Sequence, residues 1–190
     1  MADPSDLYEM NPKVRLIVLV CDPVWRTMSA YLHNLDVRAK QYHAEKQFED
    51  YVLNDSGDVN IDEEIIQRGR YDIPAEKYLK IFPHSQILFL ESVYLLKQPV
   101  NAMRDIEDFL NLPKFYDKDS FYFNKNLGYY CISPSIQPND RGCLPKKFNK
   151  YKVHPVMSYE IKRKLEKYFQ PFNERFMALC GQNFPSLQYK

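Results

Sequence analysis

Two compact apolar runs, each followed by a segment with helical spacing, dominate the hydrophobic pattern of the chain. The stretch from Val14 to Tyr31 runs from an apolar segment through Cys21-Asp22-Pro23 into a polar, helix-compatible segment. The second run, "QILFLE", covers Gln86 to Glu91. Apolar runs without polar alternation are typical of strands that are buried on both faces of a parallel sheet. We therefore predict an α/β fold in which helices flank a parallel sheet.

Apolar spacing and helix-breaking residues predict the helices. Segment 62–83, punctuated by Gly69 and Pro74, predicts two short helices. Pro99 opens a further helix with one apolar face, which Pro113 stops.

The last long helix is predicted to start at an N-cap, Ser158. Its apolar positions Ile161, Leu165 and Phe169 are in helical register. Pro171 is expected to break it, and it ends near Gly181.

The junction between the first strand and its helix has the features of a general anion site. Pro23 stands where a helix has its first turn, and Asp22 is a candidate N-cap. The unpaired N–H groups and the dipole of such a helix N-terminus favour a negatively charged ligand. The five glycines are scattered, so the sequence contains no glycine-rich phosphate loop. Two predicted strands are also fewer than an open parallel sheet usually has.

Composition and charge narrow the classes of function. The chain has 190 residues, 45% of them apolar, which suffices for one globular domain. A formal net charge of +1 gives no general attraction to nucleic acid or to a membrane surface. Segment 49–64 holds seven acidic residues and no basic one, and segment 141–154 holds five Lys or Arg and no acid. Taken alone, both charge patterns are typical of solvated loops.

The four cysteines permit three full pairings, and spacing alone does not choose between them. Cys131 and Cys143 flank a loop rich in Pro, Ser, Asn and Gly, a pattern typical of a disulfide-stapled loop. Cys21 and Cys180 lie in apolar surroundings and are expected to be buried thiols. A disulfide favours a secretory-pathway compartment. The sequence shows no signal-peptide pattern at its start and no apolar stretch near the roughly 20 residues of a membrane span.

Five segments, in order and spread over nearly the whole chain, resemble one enzyme family. They are "NPKVRLIVLVCDPVWRTMSAY", "RGRYDIPAEKYLKIFP", "FYFNKNLGYYC", "CLPKKFNKYKVHP" and "YFQPFNERFMALCGQNF". The first looks like the cofactor 3'-phosphate motif of the heparan sulfate glucosaminyl 3-O-sulfotransferases and the related N-sulfotransferase domain. The next three resemble the Arg-Gly-x-Tyr helix entry, the Phe-Tyr-Phe-Asn-Lys segment and the cofactor-binding loop of that family. The fifth resembles its last helix.

The resemblance implies a sulfuryl transfer from 3'-phosphoadenosine 5'-phosphosulfate to the 3-hydroxyl of a glucosamine in heparan sulfate, in the Golgi lumen and without a metal. Such an enzyme must clamp a polyanionic donor, hold a polyanionic sugar and deprotonate one hydroxyl in line with the sulfur. Matching the family motifs residue by residue assigns acceptor contacts to His33 and Lys125. It assigns the donor contacts to Cys21, Ser29, Tyr130, Lys150, Tyr151, Lys152, Val153 and His154.

The chain departs from the family pattern at two donor positions. The family Arg at the end of the first strand falls on Cys21, and a thiol offers phosphate far less than a guanidinium does. The glycine of the family's Lys-Gly-Arg run falls on Tyr151, which does not easily adopt a positive φ. Arg26, one helical turn before Ser29, either reaches the same phosphate or is an outward surface charge.

The family's phosphate loop and catalytic Glu lie upstream of the region that this sequence resembles, and no acid here matches that general base. We therefore expect residues 1–190 to form a single partial domain, the C-terminal part of a sulfotransferase, with an incomplete P-loop-type parallel sheet and no catalytic residue of its own. Two functions remain open. One is a heparan sulfate 3-O-sulfotransferase represented by this portion. The other is a non-catalytic remnant that binds a polyanion, the glycan or the nucleotide, through residues 141–154.

Overall fold

The structure is a computed structural model that describes residues 3–38, 47–138, 142–143 and 156–189. Its contacts divide the chain into two compact units, residues 1–20 with 82–152 and residues 21–81 with 153–190. The single partial domain over residues 1–190 stays a prediction. In chain order the helices and strands are α1 (Pro4–Met10), β1 (Leu16–Val20), α2 (Pro23–Arg38), α3 (Phe48–Val52), α4 (Glu64–Gln67), α5 (Asp72–Leu79), β2 (Ile87–Glu91), α6 (Ser92–Lys97), α7 (Pro99–Leu110), β3 (Phe121–Asn124), β4 (Tyr129–Ile132) and α8 (Tyr159–Cys180).

The first unit contains the parallel sheet that the sequence predicts. Strands β1 and β2 pair in parallel, with Leu16 opposite Ile87 and Val20 opposite Glu91. This pairing and the flanking helices confirm the α/β class. A separate antiparallel hairpin, β3 with β4, was not predicted, and Gly128 in its turn has a φ of 77°.

The prediction that the first strand is buried on both faces is wrong. In β1, Ile17 is 40% exposed, Val18 36% and Leu19 53%. Strand β2 matches the prediction better, because three of its five residues are buried. The difference has a simple cause: β2 packs against α6 and α7, whereas β1 makes its main contacts with β2 alone. An apolar run predicts a strand, but it does not predict what covers it.

Two helices of the first unit show how local sequence sets helix ends. Helix α1, which was not predicted, begins after Asp3, whose carboxylate accepts a hydrogen bond from the backbone N–H of Ser5 at 2.8 Å. Helix α7 begins at Pro99, as predicted. It ends at the left-handed Asn111, with a φ of 57°, two residues before Pro113.

The second unit is helical and has its own apolar core. Helices α4 and α5 confirm the two short helices predicted for segment 62–83. Each buried aliphatic or aromatic side chain of such a core stabilises the fold by roughly 1.5–3 kcal/mol. The core residues are Val24, Met28, Tyr31, Phe48, Val52, Ile65, Ile66, Ile161, Leu165 and Phe169.

The prediction that Pro171 breaks the last helix is wrong. Helix α8 runs without interruption through Pro171, from its N-cap Ser158 to the left-handed Gly181, and both predicted ends are confirmed. The Ser158 hydroxyl accepts a hydrogen bond from the N–H of Ile161 at 3.3 Å. Pro171 lies on the exposed side of the helix, where water can bond to the Lys167 carbonyl that proline leaves without an N–H.

Candidate functional site

The start of α2 is fixed by a capping carboxylate. The Asp22 side chain accepts hydrogen bonds from the N–H of Val24 at 2.9 Å and from the hydroxyl of Tyr189 at 2.8 Å. Burial raises the pKa of Asp22 despite these bonds, which act in the opposite direction. The predicted N-cap at Asp22 and the predicted first helical residue, Pro23, are confirmed.

Cys21, to which the motif assigns the position of the family Arg, contacts a neighbouring tyrosine. Its Sγ lies 3.6 Å from the hydroxyl oxygen of Tyr71, and that hydroxyl donates a hydrogen bond to the Cys21 carbonyl at 3.0 Å. Burial raises the pKa of Tyr71, so the hydroxyl keeps its proton and remains a donor. The prediction that Cys21 is a buried thiol is wrong, because the thiol is half-buried among polar groups where the chain turns into α2. Cys180 is buried, as predicted.

Arg26 carries a buried guanidinium nitrogen without a partner. Its Nη1 is shielded from solvent and has no hydrogen-bond partner among the residues that the structure describes. The half-buried Ser29 stands three residues later on α2, a spacing that puts both side chains on one face of the helix. A buried N–H of a charged group that finds no acceptor costs more than about 1–3 kcal/mol. This argues against the alternative that Arg26 is an outward surface charge.

The other predicted site residues fall into different parts of the chain. His33 is exposed on α2, and Lys125 is exposed in the turn between β3 and β4. Tyr130 on β4 is 40% exposed, and its ring lies edge-on to that of Phe123 with centroids 5.4 Å apart. The predicted donor loop, Lys150–His154, lies outside the described residues.

The disulfide between Cys131 and Cys143 is present, as predicted. It anchors Gly142, whose carbonyl accepts a hydrogen bond from the N–H of Ile132 at 2.8 Å. A Cβ at Gly142 would lie 2.2 Å from the Ile132 carbonyl oxygen, so only glycine fits this approach. The bridge therefore holds Gly142 and Cys143 next to β4.

An ion-pair network centred on the buried Asp72, next to Tyr71, was not found from the sequence. The Asp72 carboxylate, with a side chain 1% exposed, accepts two hydrogen bonds from Arg70 at 3.0 and 3.1 Å. Arg175 of α8 donates to the same carboxylate at 3.0 Å and to Glu76 at 2.8 Å. Arg70 and Tyr71 belong to the Arg-Gly-x-Tyr motif. Nothing in the local pattern indicates that the neighbouring Asp72 pairs with Arg175, 103 residues away. This network ties α5 to α8 and so positions Tyr71.

Two further observations concern metals and membranes. The described ranges contain no cluster of three or more His, Cys, Asp or Glu arranged to hold a metal ion. Within those same ranges, none of the helices combines the length and the apolar character that crossing a bilayer requires.

Comparisons with known proteins agree with the sequence motifs. Residues 6–182 match the protein family described as "Sulfotransferase domain". The heparan sulfate glucosamine 3-O-sulfotransferase 5 of Mus musculus is 29% identical over 185 residues, which are 96% of this chain and 52% of that protein. The 3-O-sulfotransferase 3B1 of Mus musculus is 31% identical over 183 residues, 95% of this chain and 45% of that protein. The chain thus spans about half the length of the curated relatives it matches.

The fold has a counterpart among solved structures. The crystal structure of a sulfotransferase from Alicyclobacillus acidocaldarius superposes with a TM-score of 0.64 and 18% sequence identity. The match covers 98% of this chain and 62% of that one. At this identity, the likeness supports the fold alone.

Proposed function

Because the chain belongs to the sulfotransferase domain family, we propose that it acts in the transfer of a sulfuryl group from 3'-phosphoadenosine 5'-phosphosulfate to the 3-hydroxyl of a glucosamine in heparan sulfate. Relatives at 29 and 31% identity carry this acceptor and this position in their names. The donor supplies a sulfuryl group already activated by its phosphate leaving group. The residues of this chain bind and orient the two anionic reactants.

One observation carries the proposal: the buried, unpartnered Nη1 of Arg26 at the junction where the motif places the donor's 3'-phosphate. A phosphate oxygen is the acceptor that this nitrogen lacks, and a charge-assisted bond to it is roughly twice as strong as a neutral one. The hydroxyl of Ser29, on the same face of α2, adds a second donor. The residues present therefore fit a phosphate group, although Cys21 contributes almost nothing to holding it.

The family motifs assign further donor contacts to Tyr130 and to Lys150–His154. Segment 141–154 contains five cations and no acid. His33 and Lys125 meet carboxylates or sulfates of the glycan. No acid of this chain is assigned as the general base that takes the hydroxyl proton.

The disulfide also favours a particular cellular compartment for this chain. A Cys131–Cys143 bridge persists in the oxidising lumen of the secretory pathway and is rare in the cytosol. Together with the heparan sulfate relatives, it supports a Golgi lumenal location. The alternative of a non-catalytic polyanion-binding remnant rests on segment 141–154, and no observation on the described residues favours it.

The test is a calorimetric titration of purified Arg26→Gln protein with 3'-phosphoadenosine 5'-phosphate. A charge-assisted hydrogen bond is worth about 1.5–3 kcal/mol, so we expect the affinity to fall by about tenfold or more. The matched control is Arg68→Gln, which removes a charge from an arginine that is 55% exposed in the same unit. Equal affinities of the two variants would reject the assignment of Arg26.

A further inference from the structure

A short loop after α3 contains a triplet of residues that the proposed function does not use. Asn54-Asp55-Ser56 is the one place in the sequence where Ser or Thr stands two positions after Asn, and the residue between them is not proline. This triplet is the acceptor pattern for N-linked glycosylation, a modification of surface loops in chains that pass through the secretory pathway. Whether it is usable depends on how the loop presents it.

The triplet forms the tip of a tight turn. Leu53 and Val59 pair as an isolated antiparallel bridge, and between them the N–H of Gly57 donates to the Asn54 carbonyl at 2.8 Å. Gly57 has a φ of 76°, a conformation that glycine adopts without steric cost. Val52, just before the turn, is buried in the core, whereas all three residues of the triplet are exposed. The triplet is therefore accessible from solvent.

The Asn54 side chain uses one of its two polar atoms and leaves the other free. Its Oδ1 accepts hydrogen bonds from the backbone N–H of Ser56 at 3.1 Å and from that of Asp58 at 3.0 Å. Because both neighbours are donors, this network fixes which end of the amide is the oxygen. Within the ranges that the structure describes, neither the Asn54 Nδ2 nor the Ser56 hydroxyl has a hydrogen-bond partner. The atom that glycosylation modifies is thus the one that the turn does not need.

We propose that Asn54 is a site of N-linked glycosylation, whose donor is an oligosaccharide linked to a lipid diphosphate in the lumen of the secretory pathway. The bond that forms joins Nδ2 to the anomeric carbon of the first sugar, and the bond that breaks joins that carbon to the diphosphate. The lipid diphosphate leaves with the electron pair, and Nδ2 gives up one of its two protons. The inference rests on the lumenal location in the proposed function, and it adds a site that the proposed reaction does not contain.

The glycosylated turn keeps the hydrogen bonds of the unmodified one. The modification changes Nδ2 alone, so Oδ1 still accepts from the N–H groups of Ser56 and Asp58. At the base of the turn, Lys164 of α8 donates to the Gly57 carbonyl at 2.8 Å. A glycan at the exposed tip therefore extends into solvent, where a bulky polar group disturbs no packing.

The experiment expresses the full 190-residue chain behind a cleavable secretory signal peptide in cultured animal cells. Peptide N-glycosidase is then applied to cell extract and medium together, so that retained and secreted protein are both read. We expect the enzyme to remove one glycan and to convert Asn54 to Asp, which mass spectrometry of the peptide measures. Protein without a glycan would overturn the proposal. Because the signal peptide imposes the compartment, this failure would leave the donor site untouched, which the affinity of Arg26→Gln for the nucleotide tests separately.

Two matched substitutions of Ser56 identify the site. Ser56→Ala removes the hydroxyl that completes the triplet, but it keeps the backbone N–H that donates to the Asn54 side chain, so the turn is preserved. Ser56→Thr keeps a hydroxyl at the same position and therefore keeps the triplet. We expect Ser56→Ala to lose the glycan and Ser56→Thr to retain it. A glycan that persists in Ser56→Ala, or one that is lost equally from both variants, would contradict the assignment to Asn54.

Discussion

The Sγ of Cys21 lies 3.6 Å from the hydroxyl oxygen of Tyr71, and the same hydroxyl donates to the Cys21 carbonyl at 3.0 Å. Cys21, to which the motif assigns the position of the family arginine, therefore makes these contacts within the protein. We propose that Arg26, one turn into α2, neutralises the donor's 3'-phosphate instead. Arg26 is four residues after the N-cap Asp22 and five residues after Cys21.

The first prediction concerns Cys21→Arg. Restoring a guanidinium at this position adds a bidentate, charge-assisted contact to phosphate, so we expect the affinity for 3'-phosphoadenosine 5'-phosphate to rise by about tenfold or more. Calorimetric titration measures the change. Trp25→Arg is the control, since it adds the same charge at an exposed position of α2. An equal gain in both variants would mean that net charge, and not the position of residue 21, sets the affinity.

The second prediction concerns the buried carboxylate of Asp72. Asp72→Asn removes the negative charge that Arg70 and Arg175 share and replaces one accepting oxygen with an NH2 group, so we expect the free energy of unfolding to fall by roughly 2–4 kcal/mol. Chemical denaturation measures this loss. Glu64→Gln removes an exposed ion pair with Arg68 and should change the stability by less than about 1 kcal/mol. Similar losses in both variants would show that the Asp72 network contributes no more than a surface pair.

The third prediction is the pH dependence of that same network. Burial acts to raise the pKa of Asp72, but the hydrogen bonds from Arg70 and Arg175 outweigh it and leave the pKa lowered. A carboxylate with a lowered pKa in the folded state stabilises the protein fully above its unfolded pKa, near 3.9, and loses that contribution as the pH falls through the folded value. The stability difference between the unmodified protein and Asp72→Asn should be constant from about pH 6 to 8 and shrink below about pH 4. A difference that grows in acid would contradict the sign of the shift.

How far the sequence predicts the fold depends on the range of the interaction. Caps and helix ends, such as Asp22 and Ser158, follow from residues within one turn and are confirmed. The burial of Leu19 and the continuity of α8 at Pro171 depend on what lies beside the element, and here the sequence predictions are wrong. In the site, the motif locates the junction at Cys21. The periodicity of apolar residues does not predict which distant residues a side chain contacts.

The fourth prediction tests one such long-range contact. Gly69 is buried, and a Cβ there would lie 2.5 Å from Cε1 of Phe169. We expect Gly69→Ala to lower the free energy of unfolding by about 1–3 kcal/mol through overpacking. Phe169→Leu removes the clashing ring edge, so the double variant should lose at least about 1 kcal/mol less than the sum of the single losses. Additive losses in this cycle would show that the two residues do not meet.

The fifth prediction concerns the Cys131–Cys143 bridge. The bridge closes a loop with a sequence separation of 12, and its removal in Cys131→Ser should cost about 3 kcal/mol on the chain-entropy estimate. Thermal denaturation with and without a reducing agent measures this. The reductant should lower the melting temperature of the unmodified protein and leave that of a Cys131→Ser/Cys143→Ser variant unchanged. A melting temperature of the unmodified protein that does not respond to reduction would contradict the role of the bridge.

Both the ion-pair network and the site at α2 depend on contacts between residues that are far apart in the sequence. Arg175 reaches Asp72 across 103 residues, and Tyr71 reaches Cys21 across 50. Tyr71 stands inside a motif that resembles the family, yet the motif alone does not say which atom its hydroxyl meets. The packing of α5 against α8 brings the Tyr71 ring edge-on to that of Phe176, with centroids 5.8 Å apart.

We propose that the junction at the start of α2 recognises the 3'-phosphate of the donor. Its most direct test is the affinity of the unmodified protein for 3'-phosphoadenosine 5'-phosphate relative to adenosine 5'-phosphate, which differs only by that phosphate. With Arg26 and Ser29 bound to this phosphate, we expect a preference of about tenfold or more for the nucleotide with the 3'-phosphate. Equal affinity for the two nucleotides would contradict it.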